Sequence, residues 1–238
     1  MRRLLVSLLV LAVVVIGLDR IAAFVATRQL ASKVQSAEGL SQRPGAAIRG
    51  FPFLTQVLSG RYDEVDLTAR GIVRTGVRVD TVALRAQGVR VDLGQALRGQ
   101  VQSVPVERGT ATVLLTFDDL NALARPYTQG AVTVSSGGGS RLRLQGTLSL
   151  LGVSTAVTAD AATVTVGGGR LRITPLPGAL DQLPSQVRDR AAQLLTLSLP
   201  LPALPFGLHI ASAAIIADGV TATAAGDSIV IPVGGARG

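Results

Sequence analysis

The chain begins with two arginines followed by a long apolar stretch, and this feature limits where the rest of the chain can fold. Arg2 and Arg3 precede residues 4–18, in which only Ser7 and Gly17 interrupt large apolar or alanine side chains. A positive start before such a stretch is typical of a secretory signal, with the arginines left on the cytoplasmic side. The sequence therefore predicts that most of the chain folds outside the cytoplasm, either anchored in the plasma membrane or secreted to the cell envelope.

Residues 1–18 are expected to be either a cleaved signal peptide or an uncleaved signal anchor. The stretch is short for a membrane span of about 20 residues, but apolar residues at 21–25 lengthen it beyond Asp19 and Arg20. No clean A-x-A cleavage motif follows, which slightly favours the anchor. Apolar positions then recur at helical spacing, so residues 19–42 are expected to form an amphipathic helix, ended at Gly39, and a linker.

The composition predicts a large core with apolar surface left over. Hydrophobic residues make up 47% of the 238 residues and charged residues only 16%. No shift in composition follows residue 42, so residues 43–238 are expected to form one domain. The chain has no cysteine, which excludes disulfides and thiolate chemistry.

The net charge of +8 suggests nucleic acid, but the pattern of the charges argues against it. The arginines are scattered singly and do not form a run. Aromatic residues are only 3% of the chain and tryptophan is absent, so a base-stacking surface is hard to build. We expect no nucleic-acid partner, and an anionic membrane surface or lipid headgroup suits the scattered arginines better.

After Pro44 the apolar pattern changes to a period of two, which is typical of strands with one buried and one wet face. Short helical segments interrupt it at residues 93–97, at 116–125 and at 184–197. The second should begin with a capping box between Thr116 and Asp119 and stop before Pro126. The residues thus predict an α+β domain of long antiparallel strands with two or three helices against them.

Two glycine-rich segments, residues 137–139 and 167–169, lie between alternating stretches. A phosphate-binding loop would require a helix after the glycines. A strand-like pattern follows each of them, so both are expected to be hairpin turns.

No catalytic constellation is visible in the sequence. His209 is the only histidine, no G-x-S-x-G motif could supply a nucleophile, and no spacing fits a metal site. The acidic pair Asp118-Asp119 is explained by the helix cap. We expect no catalytic residue, no metal and no cofactor, and therefore not an enzyme.

Two motifs resemble a known family. Residues 50–56 read GFPFLTQ and residues 60–65 read GRYDEV, and both are similar to motifs of the LmeA-like family of actinobacterial phospholipid-binding envelope proteins. Asp19-Arg20, residues 204–208 and residues 218–220 add weaker matches. The resemblance implies an elongated, strongly curved antiparallel sheet wrapped on two or three helices, as in tubular lipid-binding modules. It also implies that residues 43–238 bind lipid.

The candidate lipid-binding residues are apolar and lie near the family motifs or on a leucine-rich helix. They are Phe51, Pro52, Phe53, Leu54, Tyr62, Leu194, Leu195 and Phe206. The segment 51–54 is an apolar patch with the φ angle fixed at Pro52, which suits the mouth of a lipid tunnel. The same residues could instead pin a turn under an ordinary core.

The leading hypothesis is a lipid binder or carrier at the outer face of the plasma membrane that supports envelope lipid or glycolipid assembly. Its partners would be that membrane and a phospholipid, with anionic ones such as phosphatidylinositol among the candidates. The alternative is a scaffold that supports an envelope glycosyltransferase through protein contacts, and a lipid-modifying enzyme ranks third. The sequence leaves the headgroup open.

Overall fold

The computed structural model describes residues 2–74, 77–150, 153–160, 162–167, 169–200, 204 and 207–232. Its first element is a single helix, α1 (Arg2–Glu38). The apolar stretch and the expected second helix are therefore continuous, with no break at Asp19. Gly39, with a φ of +61°, follows the end of α1, as the sequence predicts.

The next elements alternate two short helices with long strands. They are β1 (Gly45–Arg49), α2 (Phe53–Ser59), β2 (Arg61–Arg74), β3 (Val77–Arg90), α3 (Leu93–Leu97) and β4 (Ser103–Thr116). Gly60 ends α2 with a φ of +66°. A Cβ atom there would lie 2.8 Å from the Val91 carbonyl oxygen, so the close turn between α2 and β2 requires glycine.

Helix α4 (Phe117–Thr128) has the predicted capping box, in which the Thr116 side chain and Asp119 exchange hydrogen bonds with each other's backbone N–H groups. The predicted stop before Pro126 is wrong, because this proline lies inside the last turn. Pro126 removes one N–H donor there without ending the helix. The end comes instead at Gln129, which adopts the left-handed conformation with a φ of +52°.

The second half of the chain is mostly strand. It comprises β5 (Val132–Ser136), β6 (Leu142–Leu150), β7 (Val153–Ala159), β8 (Ala162–Gly167), β9 (Arg170–Pro175), α5 (Ser185–Leu195), β10 (Leu197–Pro200), β11 (His209–Ile216) and β12 (Gly219–Pro232). Strand β5 pairs with β6, and β8 pairs with β9, both antiparallel. These pairings confirm hairpins at the two glycine-rich segments.

Within the described ranges, the strands form three antiparallel sheets. The largest has the order β1-β2-β3-β4-β12-β11, and two three-stranded sheets have the orders β5-β6-β7 and β10-β9-β8. The predicted α+β class, with a long apolar helix ahead of antiparallel strands, is confirmed. The sheets remain open, so their edges do not close into a barrel.

Two separate hydrophobic clusters lie at the two ends of the large sheet. The larger joins the Leu115 end of β4 to α4, α5 and both small sheets, with Leu120, Leu144 and Leu195 among its fully buried members. The smaller lies at the other end, where Val89, Val106 and Ile229 are buried together. Since β4 has 14 residues, about 46 Å of strand separates its two ends.

Along one line across three strands of the large sheet, the alternation of inward and outward residues shifts by one position. Residues 107 and 108 are both exposed, and so are residues 227 and 228, although neighbours in a strand normally point to opposite faces. The line passes through Gly88 and Ser228, whose φ angles are +63° and +53°. These positive φ angles allow the same side of the sheet to remain apolar from one end to the other.

Candidate lipid-binding site

One face of the large sheet is apolar along its middle. Directly opposed residues on neighbouring strands point to the same side, and three consecutive rows of them are apolar. The rows are Ile48, Val65, Ala86, Gly109 and Gly226; Ala46, Leu67, Leu84, Ala111, Ala224 and Ile210; and Ala69, Val82, Val113, Ala222 and Ala213. We call these 16 residues the mid-sheet apolar face.

The central row belongs to neither hydrophobic cluster, as far as the described residues show. Ala111 and Ala224 are small and nearly buried, whereas Leu84 beside them is 41% exposed. Small side chains in the middle of a face leave room above the backbone, and an exposed leucine among them is costly in water. The mid-sheet apolar face therefore has the chemistry of a surface that is completed by an apolar ligand.

Side chains of the smaller cluster lie on the sheet at one end of this face. A Cβ atom on Gly109 would come within 2.5 Å of the Ile229 side chain. Gly226, directly opposite Gly109, lies under the same isoleucine and under Leu208. The two glycines let these side chains lie flat on the sheet, which sets one boundary of the mid-sheet apolar face.

The opposite face of the same strands is polar. Arg49 and Arg85 flank Asp66 there, and the Arg85 Nε atom donates to Asp66 at 2.9 Å. Partial burial acts to raise the pKa of Asp66, but hydrogen bonds from Arg49 and Arg85 outweigh it and hold the pKa below its ordinary value. A groove of about 580 Å³ lies over these residues. Because both guanidinium groups already contact Asp66 and Glu64, the groove is a weak candidate for a phosphate site.

The structure brings the predicted residues around α2 together. Phe53 is 4% exposed, and its ring lies 6.3 Å from that of Tyr62, which packs against the smaller cluster. Burial raises the pKa of the Tyr62 phenol. Phe51, Pro52 and Leu54 point outward and are exposed. The segment is thus divided between a core anchor at Phe53 and an exposed apolar surface.

The other predicted residues do not join this group. Leu195 is fully buried in the larger cluster, and both Leu194 and Leu195 pack over Gly146 of β6. They lie at the far end of the large sheet from Tyr62. Phe206 lies outside the described residues.

A contact between α1 and α2 holds the exposed segment in place. Asp19 is 2% exposed, and its carboxylate accepts hydrogen bonds from the Leu54 backbone N–H at 2.8 Å and from Arg20 Nε at 3.1 Å. The Arg20 guanidinium lies 5.0 Å from the centre of the Phe51 ring. The sequence marks Asp19 and Arg20 only as part of a motif, since nothing in their local spacing reveals a partner 35 residues away.

Gln56 on α2 ties the same segment to β2. Its side-chain oxygen accepts from the Asp63 backbone N–H at 2.9 Å, and its side chain is buried. Gly50 passes so close that a Cβ atom would lie 2.5 Å from the Gln56 amide nitrogen. The residues of the two family motifs therefore contact one another directly.

The side chains that could serve in acid–base or metal chemistry do not cluster at these surfaces, as far as the described residues show. His209 is exposed on the polar face of β11, opposite Ala225. Within the described ranges, no group of three or more histidine, aspartate or glutamate side chains could hold a metal ion. The mid-sheet apolar face can bind an apolar ligand by burial, and Arg49, Asp66 and Arg85 lie on the opposite face of the same strands.

One helix in the described part of the chain is long and apolar enough to cross a bilayer. It covers Leu5–Ala37 of α1, where an 18-residue window has a mean hydropathy of 2.5 and only 6% of that window is buried by the protein. A core helix of a soluble protein would be mostly buried. The length and exposure of α1 are those of a membrane anchor or signal.

Comparison with known proteins gives one match. No curated protein and no solved structure is significantly similar to the chain. A family model described as LmeA-like phospholipid-binding matches residues 17–225, which include Asp19, α2 and all but the last residues of the large sheet. The chain therefore belongs to the LmeA-like phospholipid-binding family.

Proposed function

We propose that the chain binds a phospholipid at the outer face of the plasma membrane without catalysing a reaction on it, and that the acyl chains lie on the mid-sheet apolar face. The observation that carries the proposal is the central row of that face, which is apolar across all six strands and belongs to neither hydrophobic cluster. Membership of a phospholipid-binding family names the ligand class.

The dimensions of the face suit a lipid tail. Three rows span about 13 Å along the strands, and six strands span about 24 Å across them. Each CH₂ group removed from water contributes about 0.8 kcal/mol, so affinity comes from covering the tail and not from a specific polar contact. Alanine and glycine near the centre leave space for the tail, while Leu67 and Leu84 line its side.

The arginines at the start of α1 support a domain at the outer face of the plasma membrane. Arg2 and Arg3 at its start favour a cytoplasmic N-terminus, so the sheets lie on the outer side. A domain held beside the bilayer can take up or deliver a lipid near one membrane, which suits support of envelope lipid or glycolipid assembly. Arginines scattered over the domain favour an anionic headgroup.

The test is lipid extraction and mass spectrometry on protein purified without residues 1–18. The unchanged domain should retain about one phospholipid through purification, as expected for a tail largely removed from water. Leu84→Gln should lose most of it, because a polar side chain then lies under the tail. Ala83→Gln, one residue away on the polar face, is the matched control and should retain it.

A second pair tests the shape of the face. Ala224→Phe fills the space above the central row, and Ala225→Phe places the same ring on the opposite face. The proposal is wrong if folded protein carries no lipid, or if the variants on the two faces retain equal amounts. Circular dichroism and the melting temperature identify any variant that has lost its fold. His209→Ala is expected to leave lipid retention unchanged.

A further inference from the structure

A second apolar surface lies outside the sheet, on α2 and the neighbouring α3. Phe51 is 59% exposed, Leu58 is 77% exposed and Leu97 is 80% exposed, and the exposed Leu54 lies one helical turn before Leu58. Helix α3 contacts α2. We call these four residues the α2 patch. Large side chains left this open in water indicate a surface that meets an apolar partner.

Contacts with Asp19 and Arg20 fix the position of the α2 patch along the axis of α1. Asp19 accepts a hydrogen bond from the Leu54 backbone, and Arg20 lies over the Phe51 ring. On both sides of this contact α1 presents exposed apolar side chains, including Leu18 and Ile21. The Phe51 and Leu54 part of the α2 patch therefore adjoins the exposed apolar side chains of α1.

The length of α1 places that level within a bilayer. Residues 5–18 would span only about 21 Å as a helix, which is shorter than a hydrocarbon core of about 30 Å. Residues 5–25 span about 31 Å and match it, but they include Asp19 and Arg20. Asp19 is covered by α2 and bonded to both Arg20 and the α2 backbone, while the Arg20 side chain is half exposed and shares its charge with that carboxylate.

Basic residues lie beyond Asp19 and Arg20, towards the C-terminal end of α1 and just after it. Arg28 and Lys33, together with Arg43, line a notch of about 420 Å³ whose described lining contains no carboxylate. Residues 5–25 are the part of α1 that matches the hydrocarbon core, and we call them the matched span. Arg28 comes three residues after residue 25, about 4–5 Å beyond the end of this span. This is the depth of the lipid phosphates, where arginine and lysine are favourable.

We propose that the α2 patch inserts into the outer leaflet of the bilayer that α1 crosses, with Arg28, Lys33 and Arg43 at the level of the lipid phosphates. Asp19 lies six residues before residue 25, so α2 reaches about 9 Å below the end of the matched span. Amphipathic helices lie at a similar depth. The inference shares with the proposed function the placement of α1 in the membrane, and it does not depend on the mid-sheet apolar face.

Insertion would fix one end of the large sheet against the membrane. Helix α2 leads directly into β2 through Gly60, and Phe53 and Tyr62 pack together at the same end. The end that carries α4 and the two small sheets then points away from the bilayer. A lipid leaving the outer leaflet would have to pass the smaller cluster, which lies at this end, to reach the mid-sheet apolar face.

The absence of tryptophan from the chain allows a direct measurement of depth. Full-length Leu58→Trp is reconstituted into phosphatidylcholine–phosphatidylglycerol vesicles, with or without bromine on the acyl chains. Its emission should be shifted to the blue and should lose about half or more of its intensity to the brominated chains, as for a ring lying ~5–10 Å into the boundary region. Leu97→Trp should behave in the same way.

Tyr127→Trp is the matched control, because Tyr127 is an exposed aromatic residue at the end of α4, at the far end of the large sheet. Its emission should not respond to the brominated chains. Equal quenching at Leu58 and Tyr127, or none at Leu58, would overturn the inference. A blue shift of the Leu58→Trp emission that grows with protein concentration would also overturn it, since a second copy of the chain would then cover the α2 patch.

The outcome is separable from that of the proposed function. Lipid retention by protein lacking residues 1–18 tests the mid-sheet apolar face, and bromine quenching in the full chain tests the α2 patch. Leu58 and Leu97 are largely exposed, so their substitution should leave the melting temperature of the detergent-solubilised protein unchanged.

Discussion

The Asp19 carboxylate accepts a hydrogen bond from the Leu54 backbone N–H at 2.8 Å, so a residue of α1 caps a helix that lies 35 residues further along the chain. Pro52, the residue at the N-cap position of α2, makes no side-chain hydrogen bond of its own. A carboxylate near the first turn satisfies free N–H groups and is favoured by the helix dipole. Asp19 thus performs for α2 the role that a local serine or aspartate usually has.

Replacing Asp19 should release α2 while the sheets stay folded. In Asp19→Ala, the N–H groups at the start of α2 lose their acceptor, and amide exchange over residues 53–59 should accelerate roughly fivefold. Hydrogen exchange followed by mass spectrometry measures this. Asp227→Ala is the control, because Asp227 is an exposed carboxylate in an ion pair with Arg108 on the polar side of the sheet. Equal acceleration in both variants would contradict the capping role.

The half-buried Tyr62 phenol should make the free energy of unfolding fall at high pH. Burial raises its pKa in the folded protein above the ordinary value of 10.0. The neutral phenol therefore contributes its full stabilisation below the unfolded pKa, and this contribution is lost as the pH rises through the folded pKa. Denaturant unfolding between neutral pH and pH values above 10 should show a smaller decline in Tyr62→Phe. Identical declines in the two proteins would exclude burial of the phenol.

Gly219 should tolerate no side chain. A Cβ atom at this position would overlap the backbone of Leu115 and Thr116, where β12 starts beside the end of β4. Backbone cannot move aside as a flexible side chain can, so Gly219→Ala should lower the free energy of unfolding by about 1–3 kcal/mol. Gly167→Ala is the control, since a Cβ atom there meets nothing within 4 Å. Equal melting temperatures for the two variants would contradict the expected clash.

Asn121 should be important for the small sheet that begins with β5. From α4, its side-chain nitrogen donates to the Val134 carbonyl at 2.8 Å, and its oxygen accepts from the Val134 N–H at 2.7 Å. The amide thus occupies the outer edge of β5 as a neighbouring strand would. Asn121→Ala leaves both backbone groups unpaired and should cost about 1–3 kcal/mol in chemical denaturation. Gln193→Ala, an exposed change on α5, should cost little by the same measurement.

Local patterns predicted the elements better than their assembly. The alternating stretches correspond to strands, and the capping box at Thr116 is confirmed, because both depend on neighbours in the sequence. The division into three sheets depends on pairings such as β4 with β12, which join residues 103–116 to residues 219–232. An alternating pattern specifies a wet and a dry face without specifying the partner strand. Helix α2 was not predicted, since it is short and its cap comes from α1.

The residues predicted to bind lipid are not among the 16 of the mid-sheet apolar face, so their role in lipid binding stays a prediction. The family motifs drew attention to Phe51 and Leu54, which are exposed apolar residues that contact Arg20 and Asp19 respectively. The mid-sheet apolar face was not predicted, although its alternating residues are visible in the sequence. Periodicity shows that Leu84 and Ala111 lie on the apolar side of their strands. It does not show that neither hydrophobic cluster reaches them, because that depends on where distant helices and small sheets pack.

The two separate hydrophobic clusters have a consequence for how the protein unfolds. We expect each to lose its packing independently of the other, because the central row of the large sheet contributes to neither. Cooperativity in a single domain normally comes from one continuous core. A lipid on the mid-sheet apolar face would supply the missing continuity, so the empty domain should melt over a broad range or in two steps and the loaded domain in one sharp transition. The ligand would then be part of the core.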